Sequence, residues 1–350
     1  RAVARCWRRR ELASELHGTA SSEAPRTEAS PPTRAAQMLR RLGLAAAGGV
    51  GAFAIARRQQ LAAAEPAIAA RPPPAPPALS DHRFAGKTVL VTGAGGFLGR
   101  EGCVYFASRG ANIVALDMSQ RALDETVAAV ATAAAAAGGG GAVRAMVCDV
   151  RSKESVDAAV GAGVAAFGRI DACWNNAGMQ GAMVPTPEYP LDDFRRVLDV
   201  NVVGAFTVLQ AVGKAMAADG GGGAIVNTAS VAALRGTPTM VAYVASKSAV
   251  IGMTTATAKD LAPDGIRVNA ISPALLGPGF MWDNQNKLHA ASGSPYFSRD
   301  PDAVAAAKIN AVPLKRLGTS SEVVQAVAYL LSDDSSYVTG ANLVVSGGLA

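Results

Sequence analysis

The sequence predicts an α/β protein built on a doubly wound sheet of parallel strands. Three observations predict it: short apolar, β-branched runs recur through residues 81–350, Ala-rich helix-forming segments separate them, and a glycine-rich turn joins the first run to the first helix. Thr88–Val91 (TVLV) reads as the first strand, followed by Asn112–Leu116 (NIVAL), Val143–Val147 (VRAMV), Ala224–Asn227 (AIVN) and Arg267–Ile271 (RVNAI). Arg121–Thr132 and Val156–Phe167 read as helices between them, rich in good helix formers. The glycine run 138–141 would stop one helix before the next strand.

The chain has 350 residues, of which half are hydrophobic and 17% charged, enough for a sizeable core and too apolar for wholesale disorder. Its formal charge of +6 is unevenly placed. Residues 1–80 hold twelve Arg, no Lys and five Glu, a net +7, and residues 81–350 carry 21 basic against 22 acidic groups, a net −1. The folded part therefore has no basic surplus for a phosphate backbone, and no nucleic-acid partner is expected. The first 80 residues, rich in Arg, Ala, Ser and Pro and without Asp, have the composition of an organelle (chloroplast or mitochondrial) transit peptide or a disordered leader. Within them Leu42–Ala56 is apolar between Arg pairs. At about 22 Å as a helix it falls short of a roughly 30 Å hydrocarbon core, which leaves a signal-type segment, a short anchor or compositional drift. Pro72–Pro77 reads as a stiff spacer. No run of 18 apolar residues predicts an ordinary membrane span. Four spaced cysteines without a Cys-x-x-Cys pair, and three distant histidines (His17, His82, His289), predict neither a disulfide scaffold nor a metal site.

The turn Thr92-Gly93-Ala94-Gly95-Gly96-Phe97-Leu98-Gly99 follows the first strand and opens a helix. Glycine there permits a tight turn, close approach of backbone N–H groups to a pyrophosphate, and close helix–strand packing, with the positive helix end facing the phosphates. Asp117 ends the second strand, where its carboxylate can accept both hydroxyls of an adenosine ribose and would repel a 2′-phosphate, so NAD is expected rather than NADP. The plainer alternative is an Asp that caps the following helix. Tyr243 and Lys247 stand four apart, on one face of a helix. A phenol titrates near 10, and a neighbouring ammonium favours its ionised form. Ser230 precedes Tyr243 by thirteen residues, at the end of the predicted strand Ile225–Ser230, and lacks the Gly-x-Ser-x-Gly setting of a hydrolase nucleophile.

Taken in order, these motifs resemble the short-chain dehydrogenase/reductase family across residues 84–348. Added to them are Cys148-Asp149-Val150, Asn175-Asn176-Ala177-Gly178, Asn201, Ile266–Pro273 (IRVNAISP) and Val338–Gly348 (VTGANLVVSGG). The resemblance implies a single Rossmann domain with a mostly parallel seven-stranded sheet and a small helical substrate lobe over about 275–312. It implies Tyr243 as acid/base, Ser230 on the substrate oxygen, Lys247 on the nicotinamide ribose and Asn201 holding a relay water. It places NAD against Gly93, Leu98, Gly99, Asp117, Met118, Asp149, Val150, Asn176, Ala177, Gly178, Tyr243, Lys247 and Pro273. Three departures stand out: Phe97 replaces the usual middle glycine, Ala274 follows Pro273 in place of Gly, and Val345-Ser346-Gly347-Gly348 replaces an Asp-Gly-Gly ending.

Pro313 follows Pro273 by forty positions, and the lobe between them resembles that of bacterial short-chain xylitol dehydrogenases. Gln180 would then donate to a polyol hydroxyl, unless it is simply a loop residue, and Phe280, Met281 and Trp282 would form an apolar lid. The expected activity is NAD-dependent interconversion of a secondary alcohol, either a polyol such as xylitol or a cyclic alcohol, and its ketone. The alternatives are a 3-oxoacyl-carrier-protein reductase and a non-catalytic NAD-binding scaffold. The resemblance further implies a homotetramer formed through Leu191–Ala218 and Val241–Leu261.

Overall fold

The computed structural model describes residues 83–137 and 140–350, so the leader, His17, His82 and part of the glycine run after the second helix lie outside it. Seven strands form one sheet: β1 (Thr88–Thr92), β2 (Asn112–Asp117), β3 (Val143–Val147), β4 (Ala172–Asn175), β5 (Gly223–Thr228), β6 (Ile266–Pro273) and β7 (Asn342–Val345). Their order is β3-β2-β1-β4-β5-β6-β7, and every pairing is parallel. The connecting helices are α1 (Phe97–Ala107), α2 (Gln120–Ala136), α3 (Lys153–Phe167) and α4 (Leu191–Asp219), then the short α5 (Ala232–Arg235), α6 (Val241–Leu261), α7 (Phe280–Ala291), α8 (Pro301–Ala311) and α9 (Ser320–Leu331).

The period-two geometry of a strand divides the core in two. Val89 and Val91 of β1, Trp174 of β4 and Val226 of β5 face one layer, with Phe106, Leu123, Val323 and Val327. Leu90, Cys173 and Ile225, the alternate residues, face the other, with Val156, Val160, Val208 and Val212. Each fully buried Val or Leu in these layers contributes about 1.5–3 kcal/mol against its exposed state. With both faces covered, the strands read as continuous apolar runs. Cys103, Cys148 and Cys173 are free thiols sealed in these layers, and burial pushes Cys103 up to about 12.

Helix starts follow from short polar side chains. Ser119 accepts from the Ala122 N–H at the start of α2, Ser152 from the Ser155 N–H at α3, and Thr319 with Glu322 forms a capping box on α9. Helix α4 carries a π turn over Asp199–Gly204. Among the described residues it is also the one helix long and apolar enough to cross a membrane. Here it is a core helix, with Val208, Leu209, Val212 and Met216 buried against the sheet.

Helices α7 and α8 form the lobe beyond β6. The predicted apolar lid divides: Trp282 is buried, whereas Phe280 (82% exposed) and Met281 (61% exposed) face solvent. Further along α7, His289 is buried and stacks on Phe297, ring centroids 4.1 Å apart, and neither ring nitrogen has a protein partner. Burial, and then the charge of Lys308, lower its pKa to about 4. Between roughly pH 6.5, the ordinary value, and 4 the unfolded chain binds a proton that the folded chain refuses. This group's share of stability is thus held above that window and lost as pH falls through it. His289→Phe keeps a ring against Phe297 and removes the titration, so its Tm should fall less than that of the wild type between pH 7.5 and 5 in thermal melts. Equal falls would show that His289 does not set the acid sensitivity.

Candidate active site

The strand order reverses between β1 and β4, and the loops leaving the carboxyl ends of these two strands diverge to leave a crevice. Thr92 fixes its rim. Its hydroxyl accepts from the Asn176 and Ala177 N–H groups, both at 2.9 Å, and the Asn176 side chain donates back to the Thr92 carbonyl at 3.2 Å. The glycine turn starts at Gly93, whose φ of +66° suits glycine. At Gly99 a Cβ would lie 2.1 Å from the Gly93 carbonyl oxygen, so helix α1 sits directly on the turn. No side chain caps α1, which leaves its first-turn N–H groups for an anion. Leu98 packs on the core, and Phe97 is half exposed outside the left-handed region, so the departure from glycine costs no backbone strain.

Asp117 turns its carboxylate onto this turn. One oxygen accepts from the Gly95 N–H and the other from the Ser119 N–H, each at 3.0 Å. The cap of α2 is Ser119, so the alternative of Asp117 as helix cap does not hold. Met118 beside it is 59% exposed, as a wall for a flat ring requires. In the next loop Arg151 pairs with Asp149 at 2.7 Å and holds its carboxyl below the usual range, while Val150 is buried against Gly204. The cradle, the acidic rim and the open helix end together fit a dinucleotide.

The reacting end is assembled from β4, β5, α4 and α6. Ser230, expected on a strand, lies two residues past the end of β5, where its hydroxyl accepts from the Ala232 N–H at 3.2 Å. It acts on the Tyr243 phenol, whose ionised form it favours. Burial raises the phenol's pKa, and the Ser230 hydroxyl pulls it the other way. One turn along α6, Lys247 is 4% exposed; its Nζ lies 5.8 Å from the Tyr243 ring centroid and donates to the Thr228 carbonyl at 2.7 Å. Burial lowers its pKa to about 8. Asn201, in the π turn of α4, spends its side chain on Met179 N–H and carbonyl, each at 2.8 Å, and on Ser246 Oγ at 3.0 Å. A Cβ on Gly178 would lie 3.1 Å from Asn201 Oδ1 and 3.3 Å from Lys247 Nζ, so these three residues meet. Pro273 closes β6, its carbonyl accepting from the Val231 N–H at 3.1 Å.

Sequence reasoning missed the residue that joins these parts. Thr228 donates to Asn176 Oδ1 at 3.2 Å, accepts from Trp174 Nε1 at 2.9 Å, and offers its carbonyl to Lys247. A strand-end threonine carries no local signal of that role. Missed as well was Thr239, buried four residues before Tyr243 with φ +70°, an uncommon conformation for a β-branched residue. A second cleft, of about 420 Å³, lies at the amino ends of β1, β4, β5 and β6. Its Arg169 pairs with Asp171 and Asp219, and its Arg267 donates to the Leu330 and Ser332 carbonyls. Those cations are consumed by the fold.

A family model described as Enoyl-(Acyl carrier protein) reductase matches residues 97–350. Levodione reductase of Leifsonia aquatica is 36% identical over 76% of this chain and 95% of that protein. The chain belongs to the short-chain dehydrogenase/reductase family. Another relative in the family, D-threitol dehydrogenase of Mycolicibacterium smegmatis, is 37% identical over 77% of this chain and 94% of its own. Among solved structures of short-chain dehydrogenases, an NAD+-bound xylitol dehydrogenase is 49% identical, covers 76% of this chain and 99% of its own, and superposes with a TM-score of 0.73.

Proposed function

We propose that the chain is an NAD-dependent dehydrogenase that interconverts a secondary alcohol, a polyol such as xylitol or a cyclic alcohol, and its ketone. The observation that carries this reading is the placement of Lys247 one turn from Tyr243 and beside Gly178, with Ser230 favouring the ionised Tyr243 phenol, in the crevice that fits a dinucleotide. NAD, when bound, supplies the hydride acceptor. Tyr243 takes the hydroxyl proton as the carbonyl forms, and Ser230 holds the same oxygen and stabilises its developing charge. The Lys247 ammonium offsets the burial that disfavours the Tyr243 phenolate; with NAD bound it would hold the nicotinamide ribose and would pass protons on to a water near Asn201. The relatives named for levodione and D-threitol, together with the structure named for xylitol, support cyclic compounds and polyols as the substrate class.

Asp117 supports NAD over NADP, since its carboxylate already faces the turn where a 2′-phosphate would add charge. The same reading has the protein assemble as a homotetramer through α4 and α6; Val203 and Phe206 of α4 are about half exposed apolar side chains available for that contact. It treats residues 1–80 as a targeting segment. The test is reduced-cofactor formation across a panel of polyols and cyclic alcohols with each cofactor at equal concentration. Turnover should favour NAD by at least about tenfold, equivalent to about 1.4 kcal/mol. Preference for NADPH with a 3-oxoacyl substrate would favour the reductase alternative, and cofactor binding without any turnover would favour the scaffold.

A further inference from the structure

One helix holds both ends of the loop that leaves β4. At the near end Asn201 takes the main chain of Met179 on both sides. At the far end stands Asp193, eight residues earlier on α4. One of its oxygens accepts from the Ala182 N–H at 2.7 Å and from the Tyr189 hydroxyl at 2.8 Å, and the other pairs with Arg196. The Asp193 side chain is only 10% exposed. Burial alone would raise its pKa, but the Ala182 N–H, the Tyr189 hydroxyl and Arg196 outweigh burial and hold it below the usual carboxylate range. Such a charge-assisted, multiply donated carboxylate is a stiff anchor.

Only Gln180 and Gly181 lie between the two clamps. Gly181 has φ +74°, and a Cβ there would fall 2.5 Å from Val197 Cγ2, 2.8 Å from the Tyr189 hydroxyl and 2.9 Å from an Asp193 oxygen. The loop therefore lies flat on α4 and cannot shift toward it. Two residues further on, the Val184 N–H donates to the Thr239 carbonyl at 3.1 Å, which ties the loop to the segment that leads into Tyr243.

We propose that Asp193 is a positioning residue, which fixes Gln180 against the alcohol substrate by clamping the far end of the Gly178–Ala182 loop. The proposal rests on the alcohol dehydrogenase reading above and on the substrate contact that the resemblance implies for Gln180, two residues beyond Gly178 beside Lys247. It assigns Asp193 to the binding of the alcohol, separately from NAD binding and from the proton and hydride steps. Uniform binding of this kind appears in KM and leaves kcat in place.

The experiment is steady-state kinetics of the full chain on the best alcohol of the panel, with Asp193→Ala, Gln180→Ala and the double variant. Asp193→Ala should raise the alcohol KM by about tenfold or more, the usual weight of a lost hydrogen bond to a charged group, with kcat and the NAD KM each within about twofold. Gln180→Ala should raise the same KM, and the double variant should be no worse than the poorer single one, because a displaced Gln180 has nothing left to lose. Tyr189→Phe removes one donor and should give a smaller rise in the same constant, which keeps the test available if Asp193→Ala fails to fold. An unchanged alcohol KM in a folded variant, full additivity of the two single changes, or a matching rise in the NAD KM would overturn the clamp. A wild-type protein inactive on every alcohol would remove the activity on which the clamp depends, a result distinct from an active enzyme indifferent to Asp193.

Discussion

Tyr243→Phe should yield a folded protein that still binds NAD and turns over its alcohol about 10²–10⁴-fold more slowly, the range expected for loss of a positioned acid or base. Phenylalanine preserves the ring, so the packing of α6 and the approach of Lys247 to that ring survive. What disappears is the phenol oxygen whose ionised form Ser230 favours, which is the atom that would exchange the proton. The burial that raises the phenol's pKa makes its unaided ionisation at neutral pH harder than in water, where it titrates near 10. Lys247 must therefore be charged to help, and burial brings that ammonium's own pKa down to about 8. Stopped-flow or steady-state assays beside a calorimetric NAD titration separate the two effects. A variant with wild-type kcat would remove Tyr243 from the chemistry, and one that no longer binds NAD would make its hydroxyl chiefly a cofactor contact.

Gly99→Ala should weaken NAD binding by at least about tenfold and destabilise the fold by about 1–3 kcal/mol, occasionally more for overpacking against rigid atoms. The atoms in the way are all main chain: the Gly93 oxygen at 2.1 Å, the Gly93 carbonyl carbon at 2.8 Å and Ala94 Cα at 2.9 Å from the added Cβ. No rotamer change relieves such a clash. Either α1 lifts off the turn or the turn opens, and in both cases the N–H groups of its first turn no longer converge on one point. Gly161→Ala is the control. It lies inside α3 with nothing within 4 Å of an added Cβ, so it should stabilise by roughly 0.5–1 kcal/mol. Chemical denaturation and NAD titration of the two variants give the comparison. Intact NAD affinity in Gly99→Ala would mean that the turn is not the pyrophosphate cradle.

The doubly wound sheet was legible because β1, β2, β3, β5 and β6 are runs of β-branched residues long enough to register against their neighbours. Strands β4 (ACWN) and β7 (NLVV) are only four residues each, and without the motifs at their ends nothing local marks them. The glycine turn, Asp117 and the Tyr243–Lys247 pair could be read because each works over a few adjacent residues or one helical turn. Thr228 and Asp193 could not, since their partners lie 19 to 54 and 3 to 11 positions away, and the loop that Asp193 holds is chosen by the packing of strand and helix. The apolar lid divided because Trp282 alone turns inward, a matter of helix rotation that the order of Phe280, Met281 and Trp282 does not encode.

The sealed thiols give the molecule a built-in reporter. Cys173 sits in the central strand β4, fully buried, and Cys103 is fully buried on the helix that covers the same sheet. A thiol reagent in water meets neither until the layers part, so the rate at which these two sulfurs are alkylated counts openings of the native state. Comparing that rate with and without NAD would measure, in the protein's own side chains, how much the cofactor locks the two halves of the sheet together.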